Sequence, residues 1–308
     1  FGVREDGLIE KRGSEIGTLL GTIEGHPGQL YDFVFSPDGK EIAAGFNSGF
    51  IQIIDAENGQ ILGNLEVNAQ SLNFSPDGSL LAAGLPDGSI RVFTLDNGGH
   101  FDLEGHFDSV NDVKFSEDGQ FLLSGSADCT ISLWNIEDRE RKQTILPGKE
   151  EPFQVLRIDF SPSETLGYLV GDISGLVAAK EDAKYTIEGV IRLSDFAVSR
   201  NKQTLAITGS GTSIFTEIQE EGFSTSHLLS VKGNILALNG NGTLLAIATD
   251  DSLEFWSTRN RTGVFSTPLQ DPGLPVNGPI QLSFSPDNTL IALGYQNGLI
   301  EIFGIPSN

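Results

Sequence analysis

The pentapeptide FSPDG, Phe35–Gly39, returns unchanged at Phe74–Gly78, as FSEDG at Phe115–Gly119 and as FSPDN at Phe284–Asn288. Weaker copies stand at 160–164 (FSPSE), 198–202 (VSRNK) and 238–242 (LNGNG). The apolar residue opening each copy (Phe35, Phe74, Phe115, Phe160, Val198, Leu238, Phe284) follows the one before it after 38 to 46 residues. A near-constant period of that length marks a repeat architecture, each repeat being one small supersecondary unit.

Within a repeat the punctuation is constant. An alternating run such as SVNDVKF (109–115) reads as a half-buried strand. Ser-Pro-Asp-Gly then suits a type I turn, with Ser at the first position, Pro presetting φ at the second and Gly closing it. A second strand follows, as in EIAAGF (41–46), LLAAGL (80–85), FLLSGS (121–126) and LIALGY (290–295). Asp87-Gly88 and Asn297-Gly298 are strong hairpin signals before a third strand. That third strand is FIQIIDA (50–56), SIRVFTL (89–95), TISLWN (130–135) or LIEIFG (299–304), and a more polar fourth leads out (QILGNLE, 60–66; RKQTILP, 141–147). Helical periodicity is absent.

One four-stranded sheet of about 41 residues has two faces to bury and too little core of its own. Radial stacking solves this, because each sheet then packs on its neighbours and only short edges stay open. The expected fold is therefore all-β, a seven-bladed β-propeller of four-stranded antiparallel blades. The ends agree. The last repeat supplies strands near 279–285, 289–294 and 299–304 and then stops, while a lone strand, GTLLGTIE, precedes the first repeat at 17–24. That N-terminal strand is predicted to complete the last blade. Residues 17–308 then form the propeller, and 1–16 are an extension or linker remnant in which GLIEKRG (7–13) echoes GLIEIFG (298–304).

The string EGH (104–106), FSEDG (115–119), SGSAD (124–128) and TISLW (130–134) resembles a WD40 repeat, and residues 17–304 are similar to a seven-bladed WD40 propeller. The likeness is strong in repeats one, two, three and seven and weak in four and five; the FSPDG turns and short Gly-rich loops look bacterial. The resemblance implies a buried hydrogen-bonded tetrad in repeat three, formed by His106, Ser124, Asp128 and Trp134. It also implies an interaction face built from the loops leading into first strands and the turns before third strands. The residues there are Tyr31, Phe107, Asp108 and Arg192 in the loops, with Asn47, Pro86 and Gln296 in the turns. Other repeats keep fragments of the tetrad: His26 with Ser48 and Ile54, Asp87 with Phe93, Asp250 with Trp256, and Asn297 with Phe303. Lys180 stands at the Trp position of repeat four, so polar bracing is expected in full only in repeat three.

The rival reading of Ser124, His106 and Asp128 is a hydrolase triad, but no Gly-x-Ser-x-Gly elbow or oxyanion loop accompanies them. No sialidase-type Asp box is present, and four histidines offer no converging metal set. His100 and His106 lie about 20 Å apart if the segment between them is extended. No enzyme activity, metal or cofactor is expected. The single cysteine, Cys129, excludes an internal disulfide and a Cys-based zinc site. It reads as a bystander in a turn, since nearby cations that would stabilise a thiolate are missing.

Charge narrows the partners. There are 19 Lys+Arg against 42 Asp+Glu, a formal net charge of −23. Without clustered cations, neither nucleic acid nor an anionic membrane is a favoured partner, and no apolar run reaches the roughly 18 residues of a membrane span. The expectation is a non-catalytic interaction scaffold whose mixed aromatic and acidic rim binds a protein or peptide, a basic one fitting best. The alternative is a fixed structural subunit of a multi-subunit or cell-surface assembly. Methionine is absent, even at position 1. This fits a processed or partial chain and tilts the compartment towards an extracytoplasmic one, where thioethers oxidise.

Overall fold

The computed structural model describes residues 18–24, 28–145, 155–160, 168–172, 175–180, 183–186, 193–201, 203–209, 212–219, 222–223, 227–229, 233, 235–249, 251–269 and 278–305. The extension 1–16 and His26 lie outside them. Among the described residues the regular structure is all β, in seven antiparallel sheets, six of them four-stranded and the fifth five-stranded. The sheets run in chain order, one per repeat. Sheet one, for example, is Leu30–Phe35, Glu41–Phe46, Phe50–Asp55 and Ile61–Glu66, and sheet three is Val110–Phe115, Phe121–Ser126, Ile131–Asn135 and Glu140–Ile145.

Sheet seven takes its first three strands from Pro279–Phe284, Leu290–Tyr295 and Leu299–Gly304. Its fourth is the N-terminal strand Thr18–Glu24, paired antiparallel from Thr18 opposite Gly304 to Glu24 opposite Leu299. The two ends of the described chain are thus joined by backbone hydrogen bonds, as the unequal strand count at the termini predicts.

The chain divides into two compact units, Phe1–Val67 with Ser194–Asn308, and Asn68–Leu193. In the first, sheets five, six, seven and one follow one another, and in the second, sheets two, three and four. Strand alternation explains how a sheet serves two neighbours at once. Leu122 and Trp134 of sheet three join Val92 and Leu103 of sheet two in one apolar cluster, while Leu123, Ile131 and Leu133 join Val155 and Ile158 beside sheet four. In the other unit Ile300 and Ile302 of sheet seven pack with Phe33, Ile42 and Ile54 of sheet one, whereas Phe303 and Leu293 turn to sheet six. Each such fully buried aliphatic or aromatic side chain contributes about 1.5–3 kcal/mol.

The repeated pentapeptide does more than turn the chain. Ser36 Oγ donates to Asp38 Oδ1 at 2.7 Å and accepts the Glu41 N–H at 2.9 Å, and the Gly39 N–H donates to the Ser36 carbonyl with Gly39 at φ +72°. The same bonds recur at Ser75/Asp77, Ser116/Asp118 and Ser285/Asp287. They recur too in the weak copies: Ser199 binds Asn201 and the Thr204 N–H, and Asn239 accepts from Leu244. Hydrogen bonds from the turn serines, then from backbone amides, hold the carboxyls of Asp38, Asp77 and Asp118 below the usual carboxylate range.

Candidate functional site

Repeat three brings its four predicted residues together. The Trp134 indole N–H donates to Ser124 Oγ at 2.8 Å, Ser124 Oγ lies 2.7 Å from His106 Nε2, and His106 Nδ1 lies 3.0 Å from Asp128 Oδ2. Ser124, Trp134 and His106 are 0%, 2% and 6% exposed. In the neutral imidazole that burial favours, Nδ1–H points to Asp128 and to Thr130 Oγ1, 2.9 Å away, and Ser124 O–H donates to Nε2. Burial, against the pull of Asp128, lowers the affinity of His106 for a second proton. Burial pushes the Asp128 carboxyl up, yet the Thr130 hydroxyl, the Phe107 N–H and His106 together hold it below its ordinary value. Ser, His and Asp stand here in hydrogen-bond sequence as in a hydrolase, but the serine is sealed and accepts from an indole, so no substrate reaches it. In such a network each bond contributes about 1 kcal/mol net, and orphaning a buried member costs about 1–3 kcal/mol.

The outer end of this chain of bonds holds a loop. Asp128 Oδ2 also accepts the Phe107 N–H at 2.9 Å, and Ser126 Oγ donates to the Asp108 carbonyl at 2.9 Å. Phe107 is nevertheless 92% exposed. Its backbone is fixed while its ring is presented to solvent. Pro86 is exposed in the adjacent turn of sheet two, whose Gly88 lies against the carbonyls of His106 and Asp108: a Cβ at Gly88 would meet them at 2.6 and 3.1 Å. Pro86, Phe107 and Asp108 are therefore neighbours within the second unit.

Three other predicted residues gather in the first unit. Asn47 Oδ1 accepts the Gln29 N–H at 2.8 Å, and the Leu30 N–H donates to the Gln296 carbonyl at 3.1 Å. Tyr31, 40% exposed, follows at a β-bulge, as Leu30 pairs with Phe46 and Asp32 with Gly45. Arg192 and Asp250 lie outside the described residues. The tetrad fragments elsewhere form no comparable chain among the described residues. Trp256 is half-buried and donates to Glu254 of its own strand at 3.1 Å. Asp87 accepts from Ser89, and Asn297 from the Leu299 N–H. In sheet one the Ile54 side chain, fully buried, stands where the Trp would be.

Two features escape the sequence reading. The first is a clasp between sheets. Gln281 of sheet seven accepts the Phe33 N–H at 3.0 Å and donates to the Phe33 carbonyl at 2.7 Å. Asp112 of sheet three accepts the Ile158 N–H, Asp195 of sheet five the Leu236 N–H, and Asn73 of sheet two the Phe115 N–H. The signal was a polar residue three places before the opening apolar residue, but it is Asp at 112 and 195 and Gln at 281, and Asn73 stands one place before it. The second is the conformation of Cys129. At φ +70° it occupies the turn position that Gly49, Gly88 and Gly298 fill at +89°, +88° and +93°. The cysteine is half-buried, and its backbone, rather than its thiol, is the notable part.

Residues 17–55, 60–94 and 100–135 match the family model described as WD domain, G-beta repeat. The chain carries WD40 repeats over these segments, and the four-stranded antiparallel sheets are consistent with the blades of such repeats. Among known proteins, it is 33% identical over 127 residues to WD repeat-containing protein SL1-17 of Schistosoma mansoni, a match covering 40% of this chain and 42% of that protein. It is 26% identical over 165 residues to Pre-rRNA-processing protein IPI3 of Meyerozyma guilliermondii, covering 49% of this chain and 35% of the relative. Over 37 residues, 12% of this chain and 11% of the relative, it is 57% identical to Small ribosomal subunit protein RACK1 of Dictyostelium discoideum. The chain matches less than half the length of each of these relatives. All three are eukaryotic, so the bacterial look of the turns finds no support among them.

Proposed function

We propose that the chain is a non-catalytic interaction module, a propeller of seven such blades, that binds a protein or peptide through its leading loops and adjoining turns. The observation that carries this reading is Phe107. Its aromatic ring is 92% exposed on a backbone held by Asp128, beside exposed Pro86, and aromatic side chains are enriched in protein interfaces. The tetrad acts as the brace behind it, and Tyr31 with Asn47 and Gln296 forms a second contact group. Acidic Asp108 beside Phe107 favours a partner bearing a basic residue. WD40-repeat proteins in general bind proteins, and the sealing of Ser124 supports a role without catalysis.

A second reading is a fixed subunit of a larger assembly. Two relatives carry names that place them in a small ribosomal subunit and in pre-rRNA processing, which favours a stable complex. Affinity capture from source cells separates the readings. Phe107→Ala combined with Asp108→Ala should release the captured partners in both, but only a fixed subunit co-purifies at constant stoichiometry through high salt. Retention of every partner by the double variant, with its thermal midpoint unchanged, overturns the loop-face assignment.

A further inference from the structure

At the opposite ends of the strands from Phe107's counterparts, the seam between sheets seven and one opens into a cavity of about 330 Å³. Its floor is apolar: Leu20 of the N-terminal strand, Ala56 and Ile302 are 7%, 3% and 2% exposed. Its rim is acidic. Asp38 and Asp287 come from the FSPD turns of the two sheets, Asp55 ends the third strand of sheet one, and Glu57 lies in the turn after it. Lys40 is the cation among the lining residues. Its ammonium lies 3.4 Å from Asp38 in a pair 81% and 57% exposed, a geometry of little energetic worth that leaves the lysine free to swing out. With Lys40 counted, the lining carries three negative charges in excess.

We propose that this cavity receives an arginine side chain from a partner segment, as a second contact site separate from the leading-loop face. Three features define the occupant. A volume at the low end of ligand pockets suits one side chain or a small ligand. An apolar floor below a charged rim matches an aliphatic stem ending in a cation. Three of the carboxylates, Asp38, Asp55 and Asp287, are fixed by hydrogen bonds within their own turns, so they are preorganised for a planar, weakly hydrated guanidinium with several donors, which suits such a set better than an ammonium. The acidity of the whole chain, −23, adds long-range attraction for a basic segment.

The test uses a capped pentapeptide with one central arginine among alanines, and its citrulline counterpart, titrated into the full chain with methyl NMR of Leu20 and Ile302 as the readout. The variant is Asp38→Asn, Glu57→Gln and Asp287→Asn together. Asparagine is a native occupant of that turn position in sheets five and six, at Asn201 and Asn241, where it accepts the same backbone N–H. The turns should therefore survive, which an unchanged thermal midpoint checks. Shifts at Leu20 and Ile302 with the arginine peptide, absent with citrulline, and affinity at least tenfold weaker in the variant are expected. Phe107→Ala should leave this binding unchanged, so its failure and that of the loop-face reading are separable. No shift with the arginine peptide, equal shifts with citrulline, or undiminished affinity in the folded variant would each overturn the assignment.

Discussion

Cys129 shows how a residue can be read correctly in type and incompletely in conformation. Its position beside Asp128 was legible, and its thiol has no cationic neighbours in sequence. What the sequence did not reveal is that the turn demands a left-handed backbone there, because the turns that display it elsewhere spell the position as glycine. An L-residue in that region costs about 1–2 kcal/mol. Cys129→Gly should raise the stability of the fold by about 1 kcal/mol in chemical denaturation, part of the relief being offset by the greater freedom of glycine in the unfolded chain. A fall in stability would mean that the thiol side chain contributes packing of its own.

Glu301 is a buried acid whose protonation is coupled to folding. It is 3% exposed, and its carboxylate accepts the Tyr295 hydroxyl at 2.6 Å. Burial pushes its carboxyl above the ordinary value even though that hydroxyl bond pulls the other way. A carboxyl raised on folding supports the fold while protonated, and the support is lost as pH rises through its folded pKa. Glu301→Gln keeps an acceptor for Tyr295 and removes the buried charge; Gln52 holds the equivalent third-strand position in sheet one, also buried. The variant should match the parent near pH 4 and exceed it in thermal midpoint at pH 8, with the gap widening between. A gap that is constant with pH would show that Glu301 does not titrate in the fold.

At the scale of the strand, the fold was legible because alternation, turn chemistry and repeat length all agree. The second-strand glycine was written plainly, in AAG, AAG, SG and ALG, yet periodicity assigns it no role. The packing between sheets does. A Cβ at Gly125 would stand 2.4 Å from Val155 Cγ1 and 3.0 Å from Ile158 Cγ2, and one at Gly294 would stand 2.7 Å from both Leu30 and Phe33 side-chain carbons. These glycines let the next sheet's first strand lie close enough to be clasped by Asp112 or Gln281. Gly125→Ala should therefore cost about 1–3 kcal/mol through overpacking, measurable by urea denaturation. An alanine tolerated without loss would show that sheets three and four have slack at this contact. The clasps themselves were hidden because hydrogen bonding to a neighbouring backbone tolerates Asp, Asn and Gln alike, so the letter changes from Asp in sheets three and five to Gln in sheet seven and the position shifts in sheet two.

For the molecule as a whole, the decisive pairing is that of the first described strand with the last. Leu20 and Ile23 are buried in it, at 7% and 4% exposure, and six registered pairs tie it to Leu299–Gly304. Deleting residues 1–24 strips sheet seven of its outer strand and two buried aliphatic side chains, so stability should fall by about 3–6 kcal/mol. An unchanged thermal midpoint would show that the strand is dispensable. The tetrad was readable in repeat three because that repeat alone spells His, Ser, Asp and Trp in full, and the loop it braces followed from the same resemblance. The seam cavity was not readable, since its walls come from residues more than two hundred positions apart whose individual letters are ordinary turn residues.

On the proposed function, the braced loop at Phe107 touches a partner. A photo-crosslinking phenylalanine analogue placed at position 107, with the same analogue at exposed Val264 on the outer strand of sheet six as the control, tests it most directly in source cells. A discrete crosslinked protein from position 107, absent from position 264, is expected. Equal labelling from both positions, or none from 107 in a protein that remains folded, would contradict it.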